Sequence, residues 1–92
     1  MLDYVIKETL RIMTPVTNLL LRKSVKDHYL GEFFIPKNSL VDINICGVMR
    51  NKKYWDSPDE FKPYRWKHDK DKINSQTYTY LPFSVGPRNC LG

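Results

Sequence analysis

The sequence predicts a mixed α/β chain with one helix, a few short strands and an irregular second half. Apolar residues recur at helical spacing between Met1 and Met13. From residue 18 to residue 45, short apolar runs alternate with turn residues. From Cys46 to Gly92 the chain has little periodicity and several Pro and Gly residues. We expect this second half to be a meander with few ladder hydrogen bonds, which argues against independent folding.

The predicted N-terminal helix is amphipathic, and Pro15 ends it. Its apolar face comprises Leu2, Val5, Ile6, Leu10 and Met13. Glu8 and Arg11 are three residues apart, so on a helix they share one face and can form an ion pair. Because most such pairs are solvated and contribute less than about 1 kcal/mol, this pair indicates a function only together with other motifs.

Three short segments are predicted as strands. Asn18–Lys23 contains three consecutive leucines and is too short to span a membrane, but it is long enough for a buried strand. His28–Pro36 is predicted as a hairpin that turns near Gly31. Leu40–Ile45 alternates apolar and polar residues, as a strand with one apolar face does. Cys46, at the end of that strand, is predicted to be a small buried side chain.

The last ten residues, which we call the cysteine loop, have the composition of a loop that holds one sulfur against a flat ligand. Phe83 can cover the sulfur of Cys90, and the charge of Arg88 favours thiolate over thiol. Tight turns and close approach of the backbone are permitted by Gly86, Pro87 and Gly92. The alternative is an ordinary turn with a buried cysteine.

This loop resembles the cysteine-ligand signature of the cytochrome P450 family, Phe-x-x-Gly-x-Arg-x-Cys-x-Gly, at every defining position. Five such identities in ten residues arise by chance with a probability on the order of 10⁻⁶. Two further segments resemble the family in the same order along the chain. The first is the pair Glu8 and Arg11, and the second is Phe61–Trp66, which is similar to the family's Phe-x-Pro-x-Arg-Phe.

The resemblance implies a fold, a cofactor and a set of site residues. The fold is a late part of the mainly α P450 fold, and residues 1–92 form a single, incomplete domain. The cofactor is haem b, whose iron has Cys90 as its proximal ligand. The other implied haem contacts are Arg22, Phe83, Gly86, Arg88 and Gly92. Glu8, Arg11 and Arg65 are implied to form a structural triad. The residues implied to line the substrate pocket are Val16, Thr17, Asn18 and Leu19.

One of these assignments has an alternative, and the sequence departs from the family pattern at a few positions. Arg22 is implied to reach a haem propionate together with Arg88, and its alternative is a strand-end cation in water. The sequence departs from the family at three places, none of which is a ligand. Met49 stands where histidine is common, Leu21 where proline is frequent, and Trp66 where phenylalanine is usual.

The implied parent enzyme is a monooxygenase. It would insert one atom of O2 into a small apolar substrate, with electrons from an NAD(P)H-dependent reductase. The alternatives are a haem-thiolate lyase or isomerase and a non-catalytic remnant. We expect the isolated segment to be inactive because it holds only one wall of a haem pocket. Typical eukaryotic members are tethered to the cytosolic face of the endoplasmic reticulum membrane by an N-terminal helix outside the segment that this chain resembles.

The charge of the chain suggests one distinct rival function. The formal net charge is +5, and lysines are interleaved with aromatic residues, a pattern that suits single-stranded nucleic acid. A nucleic-acid-binding module explains neither the cysteine loop nor the order of the three motifs, so we expect no nucleic-acid partner. The two histidines lack neighbouring Cys or His at zinc spacing, and no glycine-rich phosphate loop is present.

Overall fold

The computed structural model describes residues 1–18, 21–68, 78–87 and 90–91. Helix α1 covers Leu2–Ile12, as the apolar periodicity predicted. The amide of Met13 closes its last turn by donating to the carbonyl of Thr9 at 2.7 Å. Arg50 Nη2 donates to the carbonyl of Ile12 at 2.6 Å, which satisfies one of the acceptors that a helix leaves free at its C-terminus.

In the described part of the chain, four short strands form two antiparallel pairs. Strand β2 (His28–Leu30) pairs with β3 (Phe33–Ile35), and this confirms the predicted hairpin. Gly31 has a φ of +60° at its turn, a conformation that glycine adopts without steric cost. Strand β1 (Arg22–Lys23) pairs with β4 (Leu40–Val41) across the base of the hairpin.

Two strand predictions were wrong in extent. The predicted strand Leu40–Ile45 ends at Val41, and helix α2 covers Ile45–Met49. The reason is local capping: the Asn44 side chain accepts a hydrogen bond from the amide of Gly47 at 2.8 Å, as an N-cap residue does. Cys46 therefore lies in a helix, where it is half-buried.

The predicted buried strand Asn18–Lys23 is likewise shorter. Of its described residues, Arg22–Lys23 form strand β1, and both are exposed. Asn18 forms an isolated antiparallel bridge with Asn44, and Leu21 is exposed. Leu19 and Leu20 lie outside the described residues.

The described part of the second half is mostly turns and irregular chain, as predicted, although it also contains most of helix α2 and helix α3 (Arg65–His68). The helices and short antiparallel strands confirm a mixed α/β chain. Among the described residues, the buried apolar core is small and comprises Ile45, Met49, Trp55 and Trp66. Helix α1 packs on α2 and α3 over this core. Within the described ranges, every helix is too short or too polar to span a bilayer.

Candidate functional site

Glu8 lies at the centre of a buried polar cluster. Its side chain is fully buried and accepts five hydrogen bonds from described residues. Oε1 accepts from Arg11 Nη2 at 2.8 Å, from the Lys62 amide at 3.0 Å and from Arg65 Nε at 3.0 Å. Oε2 accepts from Arg11 Nε and from the Trp66 indole Nε1, both at 3.0 Å. A carboxylate offers about four lone-pair positions, so Glu8 is saturated with donors.

Arg11 links this carboxylate to the turns that follow helix α2. Its guanidinium binds both oxygens of Glu8 and is itself fully buried. Nη1 donates to the carbonyls of Met49 at 3.0 Å and Pro58 at 2.7 Å, and Nη2 donates to that of Glu60 at 3.2 Å. A planar fork with five N–H groups can make these contacts at once, whereas a lysine ammonium has only three donors at one point.

Arg65 approaches Glu8 from helix α3. Besides its Nε bond to the carboxylate, it donates through Nη1 to the carbonyl of Asp56 at 2.6 Å. Its Nη2 donates to the carbonyls of Ser57 at 3.0 Å and Glu60 at 3.3 Å. Both guanidiniums therefore hold the turn at residues 56–60. We refer to Glu8, Arg11 and Arg65 as the Glu8 cluster; the structure brings together all three residues of the triad that the sequence suggested.

The electrostatics of the cluster keep Glu8 ionised. Burial by itself would raise the pKa of the Glu8 carboxyl, but the net shift is downward. The opposing causes are the hydrogen bonds from Arg11 and the Lys62 amide, followed by the charges of Arg11 and Arg65. An ionised, saturated and buried carboxylate has no proton to give and no free oxygen to accept one. The geometry therefore suits a structural role and not acid–base catalysis.

Aromatic rings extend the cluster toward the cysteine loop. Trp66 packs edge-on against Trp55 at 5.4 Å between ring centroids and against Tyr80 at 4.8 Å. The guanidinium carbon of Arg11 lies 5.3 Å from the Trp55 ring centroid, within cation–π range. The Tyr80 hydroxyl donates to the carbonyl of Lys7 at 3.2 Å. Tyr80 is thereby joined both to α1 and to α3.

The environment of Tyr80 favours its neutral form. Burial, with added repulsion from the charges of Asp3 and Glu8, raises the pKa of the Tyr80 hydroxyl to about 12. At neutral pH this residue is a hydrogen-bond donor to Lys7 and not a negative charge beside the cluster.

The described part of the cysteine loop is a closed turn. The Cys90 amide donates to the carbonyl of Phe83 at 3.0 Å, and the Ser84 amide donates to that of Leu81 at 3.3 Å. Ser84 and Gly86 have φ values of +63° and +88°, both in the left-handed region. A Cβ built on Gly86 meets no atom within 4 Å, so its conformation and not crowding is what favours glycine there.

Cys90 is a free, exposed cysteine in this turn. The apolar side chains of Phe83, Val85 and Leu91 are also exposed. A thiolate is a ligand that soft metals prefer. The exposed apolar side chains beside it could cover the face of a flat apolar cofactor that carries such a metal. Arg88 and Gly92 lie outside the described residues.

No described hydrogen bond joins the remaining predicted site residues to the Glu8 cluster or to the cysteine loop. Arg22 is exposed on β1, and no described hydrogen bond or ion pair joins it to the cysteine loop. Val16 and Thr17 are exposed, and the Thr17 carbonyl accepts from the Cys46 amide at 3.0 Å. Asn18 is exposed too, and its Nδ2 donates to Asp42 Oδ2 at 3.0 Å. Leu19 is not among the described residues.

Two parts of this site were not predicted from the sequence. The first is the set of backbone carbonyls that bind the guanidiniums, which no residue type signals. The second is the contact of Trp66, which stands where phenylalanine is usual in the family. The indole N–H directly after Arg65 was the available signal, because a buried tryptophan usually finds an acceptor for its N–H. Within the described ranges, no three His, Cys, Asp or Glu residues are grouped as a metal site.

Comparison with known proteins gives a consistent result. The family model described as Cytochrome P450 matches residues 1–92. The chain is 46% identical over 91 residues to Cytochrome P450 3A15 of Cavia porcellus and 45% identical over 91 residues to Cytochrome P450 3A5 of Homo sapiens. It is 39% identical over 92 residues to Probable cytochrome P450 4p3 of Drosophila melanogaster. Each alignment covers 99% of this chain and 18% of the relative's length.

Proposed function

This chain belongs to the cytochrome P450 family, and we propose that it supplies the thiolate wall of a haem b pocket in a monooxygenase. The observation that carries the proposal is Cys90 itself, a free and exposed thiol in a loop closed by the Phe83–Cys90 backbone hydrogen bond. When bound, haem supplies an iron centre at which O2 is activated, so that one oxygen atom can enter an apolar C–H bond.

The described residues divide this work between a ligand and a scaffold. Cys90 would provide the sulfur ligand of the iron, and Phe83 would cover that sulfur. The Glu8 cluster would hold the turn at residues 56–60 and the segment that leads into the cysteine loop, so that the sulfur stays in one place. Residues around a metal ligand orient it and thereby tune the properties of the metal.

Other parts of the pocket are assigned by the resemblance. Arg22 and Arg88 would bind the haem propionates, and Gly86 and Gly92 would allow the backbone to approach the ring. Substrate neighbours would be Val16, Thr17, Asn18 and Leu19. The electron donor would be an NAD(P)H-dependent reductase, and the full-length protein would lie at the cytosolic face of the endoplasmic reticulum membrane. The electron donor and the membrane location concern the whole protein, whereas this chain spans 18% of its relatives' length.

Labelled dioxygen tests the reaction class. The full-length protein, reconstituted with haem, a reductase and NADPH, should convert the apolar probe toluene to benzyl alcohol whose oxygen comes from isotopically labelled O2. A benzyl alcohol oxygen that comes from water would contradict the monooxygenase. Rearrangement of an organic hydroperoxide without O2 or reductase, together with no toluene oxidation, would instead favour the lyase or isomerase.

The substrate neighbours can be tested through Asn18. We expect Asn18→Leu to change the positions at which dodecanoic acid is hydroxylated, because it removes the amide that donates to Asp42 and adds apolar volume. Product ratios measured by mass spectrometry should change while total turnover falls less than tenfold. Asn51→Leu, in the turn after α2, is the matched control and should leave the ratios unchanged. Unchanged ratios in Asn18→Leu would place this residue outside the pocket.

A further inference from the structure

Trp66 differs from the other donors to Glu8 because it comes from a core aromatic ring. Its side chain is fully buried, and its Nε1 donates to Glu8 Oε2 at 3.0 Å. The other donor to that oxygen is Arg11 Nε. The family segment that Phe61–Trp66 resembles ends in phenylalanine, which has no N–H to donate. This chain therefore adds one hydrogen bond to the carboxylate that the usual residue cannot make.

The same indole ring contacts the segment that leads into the cysteine loop. Its centroid is 4.8 Å from that of Tyr80 in an edge-on arrangement. Described hydrogen bonds also attach that segment elsewhere: the Tyr80 hydroxyl donates to the Lys7 carbonyl, and the Leu81 amide donates to the Met49 sulfur at 3.4 Å. Phe83, whose carbonyl binds the Cys90 amide, follows Leu81 by two residues. A displacement of the Trp66 ring would thus act close to the base of the loop.

We infer that Trp66 is a positioning residue through which the Glu8 cluster holds the base of the cysteine loop. This inference rests on the proposed function, since it assigns Trp66 a part in keeping the Cys90 sulfur at the haem iron. It predicts that the indole N–H, and not only the size of the ring, affects how firmly haem is held.

Acid unfolding distinguishes the hydrogen bond from simple packing. The titratable and charged groups that face Glu8 are Arg11 of α1, Arg65 of α3 and Tyr80. A carboxylate with a lowered folded-state pKa stabilises the fold above its unfolded-state pKa, and this stabilisation is lost as pH falls through the folded-state pKa. Removing a donor raises the folded-state pKa of Glu8, so acid unfolding should begin at a higher pH.

The experiment compares Trp66→Phe with Trp55→Phe in the full-length haem protein. Both variants lose the same atoms from neighbouring rings, but Trp55 is not among the five described donors to Glu8. Two quantities are measured: the midpoint of acid unfolding by circular dichroism, and the rate of haem transfer to excess apomyoglobin. Relative to Trp55→Phe, we expect Trp66→Phe to have a higher midpoint pH and roughly tenfold faster haem loss, as the loss of one charge-assisted hydrogen bond implies.

A second substitution covers the case in which Trp66→Phe does not fold. Benzothienylalanine at position 66 keeps the size of the indole and replaces the N–H by sulfur, and it should give the same two shifts relative to the parent protein. Equal midpoints and equal haem-loss rates in the position-66 and position-55 variants would overturn the inference. A higher midpoint without faster haem loss would also overturn it, because Trp66 would then hold Glu8 but not the loop. If the unaltered protein lacks thiolate-bound haem, the proposed function itself fails.

Discussion

Replacing Arg65 by alanine should abolish haem incorporation in the full-length protein. The substitution removes the Nε bond to Glu8 and three bonds to the carbonyls of the turn at residues 56–60. It also leaves a buried carboxylate with one of its two cationic partners missing. Breaking a buried ion pair in this way typically costs about 3 to 5 kcal/mol. That is a large share of the 5 to 15 kcal/mol by which domains are typically stable.

The measurement is the ratio of haem to protein after purification, with Arg50→Ala as the matched control. Arg50 is exposed, and the one described hydrogen bond of its side chain is to the carbonyl of Ile12. We expect its loss to cost about 1 kcal/mol or less and to leave haem content normal. Arg65→Lys keeps the charge but not the fork, so it should also lose most of its haem. A normal haem content in Arg65→Ala would show that the Glu8 cluster does not support the cysteine loop.

Replacing Cys90 by serine should remove the thiolate ligand while leaving the fold intact. Cys90 is exposed, and the contact that closes its turn is made by its backbone amide, which serine retains. A serine hydroxyl is a poor iron ligand at neutral pH because it stays protonated. We therefore expect the thiolate-specific Soret absorption of the reduced carbon monoxide complex to disappear, and hydroxylation of toluene to fall by at least 1,000-fold, on the order of the loss of an essential catalytic group.

Cys46→Ser is the control for this substitution. Cys46 is a second free cysteine, half-buried in helix α2, and its backbone amide binds the Thr17 carbonyl. This variant should keep the thiolate absorption and most of the turnover. Loss of the thiolate absorption in Cys46→Ser, with its retention in Cys90→Ser, would show that Cys46 and not Cys90 is the ligand.

Local patterns predicted the regular elements well where one signal dominated. The apolar face of α1 and the glycine turn of the β2–β3 hairpin are both decided within a few residues, so periodicity and turn chemistry were sufficient. The prediction failed at Leu40–Ile45, where alternation favoured a strand and the Asn44 side chain favoured a helix start. The capping bond to Gly47 decided that competition, and a binary apolar pattern does not record it.

The residues of the Glu8 cluster could be predicted, but most of their hydrogen bonds could not. The spacing of Glu8 and Arg11 showed that they could pair, whereas the approach of Arg65 from 57 residues away came from the resemblance and not from any local rule. The carbonyls that bind the two guanidiniums belong to residues of ordinary type, such as Pro58 and Glu60. Such contacts depend on how the turns fold around the charges, and no residue type or spacing in the sequence predicts them.

X-ray absorption at the iron edge of the full-length haem protein tests directly whether Cys90 is the haem ligand. It identifies the atoms bonded to iron without requiring a substrate or a reductase. We expect one sulfur neighbour in the unaltered protein and in Cys46→Ser, and none in Cys90→Ser. An iron bound only to nitrogen or oxygen in the unaltered protein, or a sulfur retained in Cys90→Ser, would contradict the assignment of Cys90 as the haem ligand.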